Sequence, residues 1–218
     1  MHALFLWSAL VLGADVANPA LAGGTLLFLE NCNSVVQVAT RDKIGHVAIV
    51  MADDNQFWIY EATPAKVRRL SAEDYYAELA RLNAKKKEGK QIRLWVVAPD
   101  KPYTDAELTT MRHFLDEQIG RRYSVKNYVK NREGDGIHCA ELTAQMLNQS
   151  GRGDYENCYA ISPAELFTLV SATHAPPQEF QLPAFEAEET WCQRSQRKWD
   201  GFCRWCGWSC KEAWSFCW

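Results

Sequence analysis

The chain has 218 residues, 47% of them apolar, enough for one domain with a full core and an appendage. Its formal net charge of -3 lacks the basic excess of a general nucleic-acid binder, so no nucleic-acid partner is expected.

The N-terminus reads as an export signal. "ALFLWSALVLGA" is an apolar run of about a dozen residues, too short to span a bilayer comfortably. "NPALA" follows, a helix breaker and then a small-x-small site, so cleavage is expected after Ala22. Residues 1–22 are then a signal peptide and the mature protein is periplasmic or secreted, where disulfides form. All eight cysteines lie beyond that site. Reserving one as a free thiol leaves an odd number, so at least one more must be free, metal-bound or bridged to another chain.

Beyond the signal, "GGTLLFLEN" and "SVVQVAT" have the apolar, β-branched composition of strands. "GHVAIVMADDNQFWIYEAT" reads as a hairpin, with strands over His46–Met51 and Gln56–Ala62 about an Asp-Asp-Asn turn. Ser71 opens a helix with acids in its first turn and lysines in its last. "QIRLWVVAP" is a further strand. Thr104 and Glu107 have capping-box spacing at the head of a second helix, which Gly120 ends. "CAELTAQMLNQSG" is a third helix, and "SPAELFTLV" a fourth, with Ser162 and Glu165 as its box. Residues 175–190 are rich in proline and acids and read as a linker or a surface-hugging segment.

Residues 191–218 form a tail with six of the nine tryptophans and five cysteines. Cys203, Cys206 and Cys210 have a C-x2-C-x3-C spacing that fits disulfides, a metal site or an unselected extension. The tryptophans would suit a cell-wall or membrane surface. The run "KKKEGK" would suit an anionic surface, though a solvated helix end explains it as well.

Two features carry chemistry. Cys139 falls near the first helical position of "CAELTAQML", where free N–H groups favour a thiolate. Taken locally it is equally a disulfide partner or a small core filler. A thiol nucleophile needs a base. His2 leaves with the signal, His113 is mid-helix and His174 adjoins the proline-rich segment. His138 adjoins Cys139, but neighbouring side chains at a helix entry usually diverge. His46 remains. With Asp53-Asp54 as a two-residue turn, His46 lies opposite Glu61 on one face, where a carboxylate can fix the tautomer and support the imidazolium. A four-residue loop leaves the pair diagonal but still on one face, and an exposed cross-strand His–Glu pair has the same pattern.

"GHVAIV", then "YEAT", then "HCAELTAQML" resembles the YiiX-like branch of the permuted papain-like, NlpC-type cysteine hydrolases. "GTLLFLEN" resembles that family's first strand and "GRRYS" its G-x-x-Y-D element. Thr25 and Ser124 stand where the family usually has aspartate, and Gly45 where it often has serine. The resemblance covers roughly residues 23–170 and implies a hydrolase domain over 23–174. It implies an α+β fold with a small antiparallel sheet packed against helices and the catalytic cysteine at a helix N-terminus. It implies Cys139 as nucleophile, His46 as general base and Glu61 as the acid that orients it, with no metal or other cofactor. Tyr123 is a candidate substrate-binding donor, or else a core or groove aromatic. The expected reaction is acyl transfer through a thioester, on cell-wall peptide amides or, alternatively, lipid esters and amides. Rival readings are a non-catalytic peptide- or amino-acid-binding module and a disulfide-stabilised interaction protein in which Cys139 is bridged.

Overall fold

The computed structural model describes residues 18–32, 42–53 and 56–185. Most of the signal segment, the "SVVQVAT" strand, the tip of the hairpin and the Cys/Trp-rich tail lie outside them. The structure is α+β. In chain order it has β1 (Leu26–Glu30), β2 (Ile44–Asp53), β3 (Gln56–Ala62), β4 (Val67–Ser71), α1 (Ala72–Asn83) and β5 (Arg93–Val97). Then come α2 (Asp105–Gln118), the short α3 (Lys126–Lys130), α4 (Cys139–Gln149), α5 (Pro163–Leu169) and β6 (Gln178–Phe180). The strands form one antiparallel sheet in the order β4-β3-β2-β1-β5-β6.

The central strands are apolar on both faces because each face is covered. Leu26, Phe28, Val47, Ile49, Met51 and Tyr60 share a core with Met111 and Leu115 of α2, Leu142 and Met146 of α4 and Leu166 of α5. The alternate residues, Leu27, Leu29, Ala48, Val50 and Ile59, pack with Tyr75 and Leu79 of α1. This alternation is the period-2 pleat.

The helices start where their caps place them. Ser71 accepts from the Asp74 N–H, and Thr104 and Ser162 each close a reciprocal capping box, with Glu107 and Glu165. A side-chain cap is worth ~1 kcal/mol. Gly120 and Gly151 take positive φ just past α2 and α4. α1 ends at Asn83, before the lysines expected in its last turn. Asn83 turns the chain there: its amide donates to the Ile92 carbonyl (3.1 Å) and its oxygen accepts from the Ile92 N–H (2.6 Å). Lys86 instead donates to the Asn31 carbonyl.

Two strands were not expected. β4 extends the sheet beyond β3, and β6 pairs with β5 inside the proline- and acid-rich stretch, beyond the expected domain end at 174. Residues 18–22, upstream of the expected cleavage point, also dock. The Asn18 side chain donates to the Gln181 carbonyl and accepts from its N–H, and Leu21 packs on the α1-side core.

The hairpin register corrects one expectation. Asp53 pairs with Gln56, so the turn lies one residue later than Asp53-Asp54 and the register moves by two. Arg112 of α2 holds Asp53 in the strand, donating to its carboxylate (2.8 Å) and to the Ala52 carbonyl (2.5 Å). His46 and Glu61 are therefore diagonal rather than opposed, still on one face. The cross-strand partner of Glu61 is Arg68 of β4.

Candidate active site

The segment before Cys139 is fixed by the "GRRYS" element and α3. Ile137 donates its N–H to the Arg122 carbonyl (2.9 Å), and Ser124 donates to the Ile137 carbonyl (3.2 Å). The Arg121 guanidinium donates to the carbonyls of Gly134, Asp135 and Gly136. The Asn127 amide donates to the Gly136 carbonyl at 2.8 Å. A Cβ at Gly136 would sit 2.3 Å from that of Ser124, so the two chains approach this closely only with glycine there. His138 caps α4: its Nδ1 accepts from the Glu141 N–H (3.3 Å), and its Nε2 meets the Tyr159 carbonyl (3.1 Å) as donor. Cys139 is then the first helical residue, 2% exposed and a free thiol.

His46 stands near the start of β2, paired with Leu29 of β1 beside a bulge at Leu29/Glu30. Bulges of this kind re-aim side chains next to sites. Its Nε2 lies 2.6 Å from Glu61 Oε2. The other Glu61 oxygen accepts from Arg68 Nε (2.8 Å), and Arg68 reaches on to Glu78 (3.0 Å). Glu61 is 4% exposed, so its charge needs both partners. With Nε2 engaged by Glu61, Nδ1 is the imidazole nitrogen left open, and the charge of His46 acts on the Cys139 thiol. Although His46 and Cys139 lie 93 positions apart in sequence, α4 packs against β2 and brings them together.

The electrostatics follow from this chain of contacts. Burial pushes the Cys139 thiol up, but the charges and hydrogen bonds of His46 and His138 outweigh it and bring the thiol down to about 6. Burial pulls His46 down, while Cys139 and Glu61 raise it well above the ordinary histidine value. Burial raises Glu61, and His46 with Arg68 bring it below the ordinary carboxylate value. A thiolate–imidazolium pair is the favoured state of such a set.

The three residues expected to form the site are thus together. Tyr123, also expected, is half-buried against the core beside the site. Burial first, then the negative charges of Cys139 and Cys32, raise its phenol. Its Ile137 bridge gives it a part in placing the Cys139 segment. Sequence reasoning missed Arg68, because β4 was not recognised, and His138, whose ring folds back as a cap. It also missed Cys32, which lines a cleft of about 630 Å³ beside His46 and Glu61. Leu29, Leu79, Leu82 and Ile92 give this cleft an apolar wall, and Arg68 and Glu78 a charged edge.

Fold and site define an α+β protein with a buried histidine–glutamate pair and, at a helix N-terminus, a buried free cysteine. The fold is similar to that of the metalloprotein yiiX from Escherichia coli O157:H7, with a TM-score of 0.51 and 12% identity, over 75% of this chain and 98% of that one. No protein-family model matches the sequence, and no curated protein matches it. Among the described residues no group of three or more His, Cys, Asp and Glu side chains is arranged to hold a metal ion. The two Glu61 oxygens are taken up by His46 and Arg68 rather than converging with other donors on one point.

Proposed function

We propose that the protein is a thiol-dependent amidase or peptidase on a permuted papain-like, NlpC-type scaffold, acting through an acyl-enzyme on Cys139. The observation that carries this reading is the hydrogen-bonded run from Arg68 through Glu61 to His46, whose charge, with that of His138, lowers a buried thiol at a helix N-terminus to about 6. In the reaction the Cys139 proton passes to His46, and the thiolate attacks an amide or ester carbonyl. His46 returns the proton to the leaving group, and water resolves the thioester. Glu61 keeps the ring oriented and balances the imidazolium. The developing oxyanion meets the first N–H groups of α4, those of Cys139 and Ala140, while the His138 cap occupies that of Glu141.

Cell-wall peptides with accessible amide bonds are the proposed substrates, in keeping with the export signal expected from the sequence. A second reading, hydrolysis or transfer of an aliphatic acyl group from a lipid ester or amide, is favoured by the apolar wall beside His46. Turnover on peptidoglycan fragments and on acyl lipids separates the two. Either activity is expected to vanish in Cys139→Ser, followed by mass spectrometry of products. A folded wild-type protein that turns over neither, with Cys139 unreactive, points to the non-catalytic module instead.

A further inference from the structure

Cys139 is flanked by two histidine–carboxylate pairs, only one of which the proposed reaction uses. The second is His138 with Glu141. The His138 Nε2 lies 3.8 Å from Glu141 Oε2, and the two side chains are 5% and 0% exposed. The neighbours of Glu141 do little to balance its charge. Asn127 approaches at 3.5 Å and Gln145 at 3.4 Å, both long for hydrogen bonds to a carboxylate, and Arg121 acts on it only at a distance. Burial pushes the Glu141 carboxyl above its ordinary value, so its charge depends on a cation next to it, and the nearest is the His138 ring.

Histidine is also an uncommon cap. Asparagine, aspartate and serine fill that position better, so the cap alone does not explain the imidazole. The cap bond is long at 3.3 Å, and Cys139 is the very next residue, at the first helical position. The ring also faces the Tyr128 ring, edge-on at 6.1 Å, and the Tyr159 carbonyl. Protonation at Nδ1 ends its acceptance of the Glu141 N–H and places a positive charge beside the first turn of α4.

We propose that His138 is a positioning residue of the nucleophile, a second imidazole that, paired with buried Glu141, holds positive charge beside Cys139 and helps keep it ionised. The thiol proton still goes to His46; His138 takes its own proton from solvent and gives none to the leaving group. This rests on the reading of Cys139 as a thiolate nucleophile, and one experiment tests the two separately. The pH dependence of iodoacetamide alkylation of Cys139, read by peptide mass spectrometry on the whole chain, is compared in wild type, His138→Asn and His46→Ala. Asparagine keeps the cap and removes the titratable charge. The expected result is a His138→Asn midpoint above that of wild type, with alkylation near pH 6 slowed by about threefold or more. Glu141→Gln shifts it in the same direction and provides the test if His138→Asn does not fold. A profile identical to wild type in either folded variant, with His46→Ala still displaced, overturns the role of His138 and leaves the nucleophile standing. A wild-type midpoint at the ordinary thiol value overturns both.

Discussion

Replacing His46 by alanine is expected to slow alkylation of Cys139 near pH 6 by roughly 100-fold, the loss of thiolate when a lowered thiol returns toward its ordinary value. The substitution removes the cation that does most to offset burial of the sulfur, and leaves Glu61 paired with Arg68 alone. Turnover loses the general base as well, for a fall of about 10²–10⁴ in kcat/KM. The sign of the pH dependence follows from the same two groups. Cys139 is lowered to about 6 and His46 is raised well above the ordinary histidine value. The active ion pair therefore forms as pH rises through about 6 and is lost as pH rises through the raised His46 value. A bell with its acid limb near 6 is the expected wild-type profile of kcat/KM. A variant series in which His46→Ala keeps that limb separates His46 from the thiol.

Glu61→Gln is the second large effect, and it acts on both activity and stability. The amide keeps the shape but cannot balance an imidazolium, so kcat is expected to fall about 10²-fold or more, with a smaller change in KM. The same change leaves Arg68 with Glu78 as its charged partner and removes a buried carboxylate from its two strongest contacts. Arg68 is a third exposed, so its share is partly screened, and the expected net loss is about 1–3 kcal/mol. Glu61 is lowered in the folded protein. Its contribution is therefore present above the ordinary carboxylate pKa and is lost as pH falls through the lower folded value. Thermal melts from neutral to acid pH should show wild type and Glu61→Gln converging at the acid end. A constant offset across the range would assign the loss to packing instead of charge.

How much of this was legible depended on how local each signal was. The helices at 105–118 and 163–169 were readable because their capping boxes are written within four residues. The His46–Glu61 pair was readable because a strand period of two keeps both side chains on one face even when the register moves by two. Arg68 was not, since "KVRRL" is a short segment with adjacent charges and no alternation. Only its pairing to β3, through the Thr63–Lys66 turn, makes it a strand. The Cys139–His46 contact joins residues that no periodicity connects, and only the ordered resemblance of three motifs suggested it. His138 was set aside on the rule that neighbouring side chains diverge. The ring instead folds back over the first turn, which a cap preference for smaller polar residues gave no reason to expect.

The most direct measurement is acylation of Cys139 itself. The whole protein is mixed with an activated ester of a short carboxylic acid, quenched in acid and mapped by peptide mass spectrometry over the first turnovers. A thioester on Cys139 is expected to form and decay in wild type and to fail to form on that timescale in His46→Ala. An unmodified Cys139 in wild type, or acylation equally fast without His46, would contradict it.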